Sequence, residues 1–353
     1  MSDGLIDKST RWNDRSDRRP LTPREGMNRF LRHREKDSSS ETISTYAYRL
    51  GHFVRWCESE ATLMNLNDLR GSHLEEYWYS REDDLGASAL KNEFGTIKKL
   101  LEFGVAVGSV EPWLPEIAQE LKPSLAKGEE VNTEKLSSER AREILDDMER
   151  YEFGSRNHAL FTVLWATGCR TSGARALDVD DFDAENQSLE FEHRPSSGTP
   201  LKNRAAGNRH NSLSEDVCEV LKTYIRLNRE HAVDESGREP LFSTNQGRIS
   251  KSYVRVLTYQ ITHPCNYGPC PHDREKRSCE ARDHGHESKC PSARSPHRIR
   301  TGAVTHMRDE GAPIRAVGER VDATPETLKL HYDFSDERNR MEHRRDVFEE
   351  INL

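Results

Sequence analysis

The 353 residues carry a formal net charge of −8, with 53 Lys and Arg against 61 Asp and Glu. This length allows two domains of ordinary size. The acidic balance argues against a uniformly basic nucleic-acid-binding protein, although a folded chain can still collect its cations on one face. No apolar run approaches the ~20 residues of a membrane-spanning helix, and the N-terminus lacks a secretory signal. We therefore expect a cytoplasmic protein without a membrane partner.

The N-terminal third of the chain divides into a polar arm and a helical region. Residues 1–24 are rich in Arg, Asp and Ser and lack an apolar period, which predicts a flexible arm. Across residues 25–115, apolar side chains recur at helical spacing. Ser38 and Glu41 have the spacing of a capping box, which marks the start of one of these helices. The region is therefore predicted to be a small helical domain.

A linker and a second domain are predicted after the helical region. Prolines and Gly128 punctuate the chain here, so we assign residues 116–135 to a linker. The second domain, residues 136–353, begins with a helix that Ser137 or Ser138 can cap. The expected fold class is mainly α, with a small antiparallel β-sheet in the second domain.

A central helix and the predicted sheet frame the first candidate functional residue. The apolar run from Ala159 to Ala166 predicts a buried helix, and Gly168 marks its end. Arg170 then lies on the following turn. Apolar and acidic residues alternate around Leu189, and a Gly- and Pro-containing stretch separates them from a segment that begins at Arg209. This pattern predicts a β-hairpin or small antiparallel sheet.

A second group of chemically active residues lies near the end of the chain. Ser295 and Pro296 predict a helix start, so His297 and Arg300, three residues apart, share one helix face. An arginine can hold two phosphate oxygens and keeps its charge, and a histidine can exchange a proton near neutral pH. Tyr332 follows and supplies a phenol, whose pKa of about 10 requires a base if it is to act as a nucleophile.

The combination of these residues predicts cleavage of a DNA phosphodiester, although each residue alone also fits a purely structural role. Cations placed in advance stabilise the negative charge that develops on the nonbridging oxygens, and Arg170 with Arg300 can form this clamp. Lys202, near the hairpin tip, is the expected proton donor to the leaving sugar hydroxyl, with Arg204 as the alternative. A covalent bond to Tyr332 would conserve the energy of the phosphodiester, so we expect no cofactor for catalysis, neither ATP nor a catalytic metal.

A hydrophilic insertion at residues 263–294 contains four of the seven cysteines and several histidines. The four are Cys265, Cys270, Cys279 and Cys290. Thiolates at short spacing in a polar segment suit tetrahedral zinc, whose binding energy can fold a stretch that lacks its own core. Such a closed site would be structural. Free thiols or a redox pair are the alternative, and the other three cysteines are predicted to be buried thiols.

Two stretches resemble the tyrosine recombinases, also called phage-type integrases. The sequence TGCRTSGARALDVDDFD, Thr167–Asp183, resembles their first arginine box, and Ser295–Phe334 resembles their closing box. By this resemblance, residues 25–115 are a helical core-binding domain that contacts DNA, and the chain from residue 136 is an α+β catalytic domain. The catalytic residues implied are Arg170, Lys202, His297, Arg300 and Tyr332.

The resemblance implies a site-specific DNA recombinase that acts through a 3′-phosphotyrosine intermediate. Its partner would be double-stranded DNA, and it would work as a homo-oligomer, a tetramer on two sites. Two residues depart from the family pattern: Gly173 replaces an acidic residue that supports the first arginine, and Ala323 replaces a second His or Trp that contacts the phosphate. Two alternatives therefore stay open, a weakened or inactive recombinase-like DNA-binding protein and a type IB topoisomerase-like enzyme.

Overall fold

The computed structural model describes residues 19–125, 134–331 and 341. The chain divides into two compact units, Met1–Glu130 and Val131–Leu353. Both consist mostly of α-helices, and the second also contains small antiparallel sheets, which confirms the predicted fold class. Across the described ranges, every helix is too short or too polar to cross a lipid bilayer.

Within residues 19–125, the first unit contains five α-helices. They are α1 (Pro23–Arg34), α2 (Ser40–Ser59), α3 (Gly71–Glu82), α4 (Ala87–Ala106) and α5 (Leu114–Glu120). Each of the first four buries apolar side chains in a common core, and α5 packs on α4. The helix α5 therefore occupies the start of the segment predicted as linker.

The start of this unit differs in detail from the expectation. Thr22 caps α1, with its side chain accepting a hydrogen bond from the backbone of Glu25. Leu21 is only 2% exposed, so the last residues of the predicted arm are folded. The cap of α2 is Ser39 rather than Ser38, because the Ser39 hydroxyl accepts from the backbone of Thr42. The serine run places several possible caps side by side, and only the folded backbone selects one of them.

The second unit contains eight helices in its described part. They are α6 (Ser138–Tyr151), α7 (Arg156–Thr167), α8 (Thr171–Ala176), α9 (Glu215–Thr223), α10 (Lys251–Ile261), α11 (Pro296–Asp309), α12 (Ile314–Val321) and α13 (Pro325–His331). The hydroxyl of Ser137, one of the two serines predicted as possible caps, caps α6. The helix α7 lies in the centre of the core, and α6, α9 and α11 pack around it. The three isolated cysteines of the chain are buried thiols, as predicted: Cys57, Cys169 and Cys218.

Two small antiparallel sheets complete the described part of the second unit. The first is formed by β1 (Phe182–Asp183), β2 (Ser188–Phe191) and β3 (Arg209–Ser212), and the second by β4 (Ser243–Thr244) and β5 (Gly247–Arg248). In the first sheet, Leu189 lies opposite Asn211 and Phe191 opposite Arg209. The predicted pairing of these two segments is confirmed. The chain between β2 and β3 is long and irregular, with short 3₁₀ turns at Pro195–Ser197 and Arg204–Gly207.

Candidate active site

Arg300 is almost fully buried, with 1% of its surface exposed, and joins two helix ends. Its Nη1 atom donates to the carbonyl oxygens of Gly168, 2.8 Å away, and Val321, 2.6 Å away. Gly168 ends α7 and Val321 ends α12, so the guanidinium satisfies carbonyls that have no partner inside their own helices. A cation is also favoured at the negative end of a helix dipole.

Gly168 allows the sharp turn that presents the first arginine. Its backbone is left-handed, with φ 57° and ψ 22°, and a Cβ atom added there would lie 2.9 Å from Cγ1 of Val321. Glycine meets both demands, since it adopts positive φ without strain and needs no space for a side chain. Two residues later, Arg170 stands at the N-cap position of α8. The predicted helix end at Gly168 is confirmed.

Arg170 forms an ion pair with an aspartate that the sequence analysis did not identify. Its Nη1 atom lies 2.7 Å from Oδ2 of Asp322. The other carboxylate oxygen of Asp322 accepts a hydrogen bond of 2.8 Å from Nδ2 of Asn203. These partners are 152 and 119 residues apart in sequence, so no local spacing could have indicated either contact.

His297 lies on the first turn of α11 and is exposed to solvent. The pKa of His297 is lowered to about 4. The largest cause is desolvation of the ring by neighbouring protein atoms, and the second is the positive charge of four residues, Arg300, Arg298, Lys202 and Arg170. The free site therefore holds a neutral imidazole at pH 7, which differs from the expectation of a titration near neutral pH. A neutral ring can accept a proton.

Lys202 lies in the long connection between β2 and β3, next to Asn203, and is exposed. Its charge acts on His297 together with those of the two candidate arginines. The structure therefore places Arg170, Lys202, His297 and Arg300 in one electrostatic environment. Tyr332, the predicted nucleophile, lies outside the described residues.

A further cation borders the site and was missed by the sequence analysis. The guanidinium of Arg209 lies over the ring of Phe191, 4.1 Å from its centroid, and its Nε atom donates to the carbonyl oxygen of Arg320. Burial lowers the pKa of Arg209, and the nearby charges include Arg170 and Asp322. Its place opposite Phe191 in the strand pair could have suggested the cation–π contact, but its nearness to Arg170 depends on the tertiary fold.

The cysteine-rich insertion does not support the predicted zinc site. Within the described residues, no group of three or more His, Cys, Asp or Glu is placed to hold a metal ion. The thiols of Cys265 and Cys270 interact with each other, Cys290 also acts on Cys265, and Cys279 and Cys290 belong to a small apolar cluster with Ala281. A tetrahedral zinc site needs four ligands around one point. Zinc binding stays a prediction from the sequence.

Comparison with protein-family models decides the family. The model described as the phage integrase family matches residues 134–323 of this chain. The chain belongs to the phage integrase family. The resemblance based on the two arginine boxes is confirmed, and the match spans Arg170, Lys202, His297 and Arg300 but ends before Tyr332.

Two curated relatives of this chain are distant in sequence. A tyrosine recombinase XerC from Halalkalibacterium halodurans is 22% identical over 295 residues, which cover 80% of this chain and 83% of the relative. A TnP I resolvase from Bacillus thuringiensis is 23% identical over 242 residues, 65% of this chain and 80% of the relative.

Solved structures of other integrases share the fold. The Tn1549 transposon integrase in complex with a circular intermediate DNA superposes with a TM-score of 0.65 at 15% identity, over 92% of this chain and 99% of that one. A lambda integrase dimer bound to a COC′ core site gives a TM-score of 0.58 at 13% identity, over 94% and 79%. At these identities the likeness shows the architecture alone.

Proposed function

We propose that this integrase-family protein is a site-specific recombinase that cleaves and rejoins double-stranded DNA through a 3′-phosphotyrosine intermediate. The observation that carries the proposal is the common environment of these residues, since the charges of Arg170, Lys202 and Arg300 all act on the His297 ring. Cations gathered around an exposed neutral imidazole suit a phosphodiester that gains negative charge during attack. The DNA complexes of the transposon and lambda integrases support double-stranded DNA as the partner.

The proposed reaction divides four roles among the candidate residues. The Oη atom of Tyr332 attacks the phosphorus and forms a new P–O bond, while the bond to the 5′ oxygen of the next nucleotide breaks. His297 is neutral in the free site and accepts the phenolic proton. Lys202 donates a proton to the leaving 5′ oxygen, and Arg170 with Arg300 stabilises the charge on the nonbridging oxygens. Attack by a 5′ hydroxyl reverses these steps and releases the tyrosine.

Recombination exchanges strands between two sites, so we propose that the protein assembles as a homo-oligomer on DNA, a tetramer on two sites. The lambda integrase structure contains a dimer on one core site, which supports side-by-side binding of two copies. Because each breakage conserves one phosphodiester as a phosphotyrosine, strand exchange requires no nucleotide cofactor.

A nicked suicide substrate tests the chemistry. Cleavage near a nick releases a short strand that diffuses away, so the covalent protein–DNA adduct accumulates and is visible in a denaturing gel. The wild-type protein should form this adduct and a Tyr332→Phe variant should not, because it lacks the attacking oxygen. The nicked substrate is prepared as a library of many DNA sequences, because the target sequence of the protein has to be identified in the same experiment.

Two alternatives to site-specific recombination would give different results in these experiments. The side chain of Ala323 has no polar atom to contact the phosphate, which favours a protein that binds DNA without cutting it. Such a protein would retard DNA in a gel without forming any adduct. A type IB topoisomerase-like enzyme would share Tyr332 but would relax supercoiled plasmid without a defined site. Sequencing the DNA trapped in the adduct separates these outcomes, because a recombinase yields one recurrent sequence.

A further inference from the structure

We propose that Asp322 is a positioning residue of this active site, which holds Arg170 in place and, through Asn203, connects the Lys202 loop to it. The inference rests on the proposed function, since positioning has meaning only if Arg170 meets a phosphate. In the described part of the chain, Asp322 is the one carboxylate within ion-pair distance of Arg170. It lies immediately after α12, ten residues before the predicted nucleophile.

The two oxygens of Asp322 serve two different chain segments. Oδ2 lies 2.7 Å from Nη1 of Arg170, and Oδ1 accepts a hydrogen bond of 2.8 Å from Asn203. The side chains of Asp322 and Arg170 are 11% and 21% exposed, which strengthens a charge-assisted contact relative to one in water. The contact engages Nη1, so the rest of the partly exposed guanidinium can face a phosphate.

The local backbone conformation is unfavourable for an aspartate at position 322. Its φ of 56° and ψ of 60° are left-handed, a conformation that is strained for residues with a side chain, although aspartate tolerates it better than most. A carboxylate is also disfavoured at the C-terminal end of a helix, where the dipole is negative. Both costs are offset by the long-range contacts to Arg170 and Asn203, which points to a role in the site rather than in the helix end.

Gly207 leaves the space that the carboxylate occupies. A Cβ atom added to Gly207 would lie 3.1 Å from Oδ2 of Asp322 and 3.4 Å from its Cγ. Contacts this short would displace the carboxylate by a few tenths of an ångström. The loop between β2 and β3 is therefore shaped to admit Asp322 beside Arg170.

Position 173, where the family resemblance led us to expect an acidic support for the first arginine, does not supply one. Gly173 is buried, and a Cβ atom there would lie 3.4 Å from two carbons of the Phe191 ring. A longer side chain would have to pass that ring, which the Arg209 guanidinium also contacts. Asp322 supplies the carboxylate from a different element, so the departure at position 173 does not leave Arg170 without an orienting anion.

The Asp322→Asn variant tests the role with little disturbance of the backbone. Asparagine also adopts left-handed φ and can still accept from Asn203, but it lacks the charge that holds Arg170. On a nicked suicide substrate at saturating DNA, we expect the rate of adduct formation to fall about 10²-fold, the loss typical of a misplaced catalytic group. The DNA concentration that gives half the maximal rate should change less than about twofold, because a misplaced arginine affects the transition state more than binding.

Asp273→Asn is the matched control, because Asp273 is exposed and also has positive φ, at 53°, but lies in the cysteine-rich insertion. The control should cleave DNA at the wild-type rate. Asp322→Asn should also cause little further loss in a protein that already carries Arg170→Lys, because Asp322 acts through Arg170. Equal losses from Asp322→Asn in both backgrounds, or a wild-type rate in the single variant, would overturn the proposal.

A second measurement keeps this inference separate from the proposed function. Nuclear magnetic resonance of the full chain can follow rotation about the Cζ–Nη bonds of Arg170, with the signal assigned by its loss in Arg170→Lys. The ion pair should slow this rotation in the wild type and Asp322→Asn should speed it up. If the wild type forms no adduct, the recombinase proposal fails, and equally fast rotation in both proteins would then reject the positioning role as well. Rotation that is slow in the wild type and faster in Asp322→Asn would retain the positioning role of Asp322.

Discussion

The Nη1 atom of Arg300 lies 2.8 Å from the carbonyl oxygen of Gly168, so the backbone that presents the first arginine also fixes the second. The same atom holds the carbonyl of Val321, which precedes Asp322. The two candidate arginines are thus held by the same backbone segments. We therefore expect a substitution of one arginine to alter the position of the other.

Replacement of Arg300 by leucine should lower the free energy of unfolding by about 2–4 kcal/mol. The substitution leaves the carbonyls of Gly168 and Val321 buried without their donor, and each such loss costs about 1–3 kcal/mol. Urea unfolding measures the change. Arg226→Leu is the matched control, because Arg226 is exposed and should lose less than about 0.5 kcal/mol. Equal effects of the two substitutions would show that Arg300 has no structural role.

The rate of DNA cleavage should be insensitive to pH around neutrality. Because its surroundings lower the pKa of His297 to about 4, the free protein keeps a neutral imidazole from pH 8 down through the ordinary histidine range near 6.5. At subsaturating DNA, adduct formation should stay level over this range and fall only as the pH approaches 4. The measurement is a single-turnover pH profile. A drop centred near pH 6.5 in the wild type would contradict the lowered pKa.

The lowered pKa of His297 also makes the stability of the folded protein depend on pH. The unfolded chain binds a proton at His297 near pH 6.5, whereas the folded chain binds it near pH 4, so protonation favours unfolding between these values. Stability should therefore decrease as the pH falls through this window. A His297→Asn variant should lose less stability over the same window, which urea unfolding at pH 7 and pH 4.5 can measure.

A buried ion network around Arg248 should make a large contribution to stability. Its side chain is 5% exposed and forms ion pairs with Asp178 and Asp234. Removing one partner from a buried pair costs about 3–5 kcal/mol, so Arg248→Gln should destabilise the protein by about that amount at pH 7. Arg140→Gln, which removes a more exposed pair with Glu143, should cost less than about 1 kcal/mol.

The effect of Arg248 should also depend on pH. Burial opposes ionisation of Asp234, but hydrogen bonds from Arg248 and from the backbone outweigh it and lower the pKa of Asp234 to about 2. A carboxylate with a lowered pKa stabilises the fold above its unfolded value near 4, and this contribution is lost as the pH falls towards 2. The difference between wild type and Arg248→Gln should therefore shrink between pH 5 and pH 3. A constant difference would place the effect outside this ion pair.

Cys270 should be the most reactive of the seven thiols if no metal is bound. Backbone hydrogen bonds from His272 and Arg274 lower the pKa of Cys270, whereas burial raises those of Cys57, Cys169 and Cys218. Alkylation with iodoacetamide, followed by mass spectrometry, should label Cys270 first, and Cys270→Ser should remove the fastest phase. If labelling requires a chelator and releases one zinc ion per chain, the zinc prediction is correct and the free-thiol arrangement is wrong.

Local features of the fold were predictable because they depend on neighbouring residues. The helix α7, its end at Gly168 and the cap at Ser137 follow from apolar spacing, glycine conformation and hydroxyl position. The pairing of β2 with β3 follows from alternation. The exact cap of α2 did not follow, since consecutive serines compete and tertiary packing selects between them.

The surroundings of the candidate site were less predictable. Arg170, His297 and Arg300 could be chosen from their local contexts, but the ion pair between Arg170 and Asp322 joins residues 152 positions apart. Likewise, the pKa of His297 depends first on its desolvation by the folded protein and then on four cations from three separate segments. The spacing of the cysteines suggests a single zinc site, which stays a prediction because spacing along an irregular loop does not fix where the thiols meet.

The contacts between β3 and the end of α12 have a mechanical consequence. Arg209 and Asn211 both donate to the carbonyl oxygen of Arg320, and the Arg320 side chain donates back to the carbonyl of Ser212. Sliding the strand by one residue would break all three bonds and turn its side chains to the opposite face. We therefore expect β3 and the end of α12 to move together. A displacement of this strand would then also move the start of the segment that leads from α12 to Tyr332.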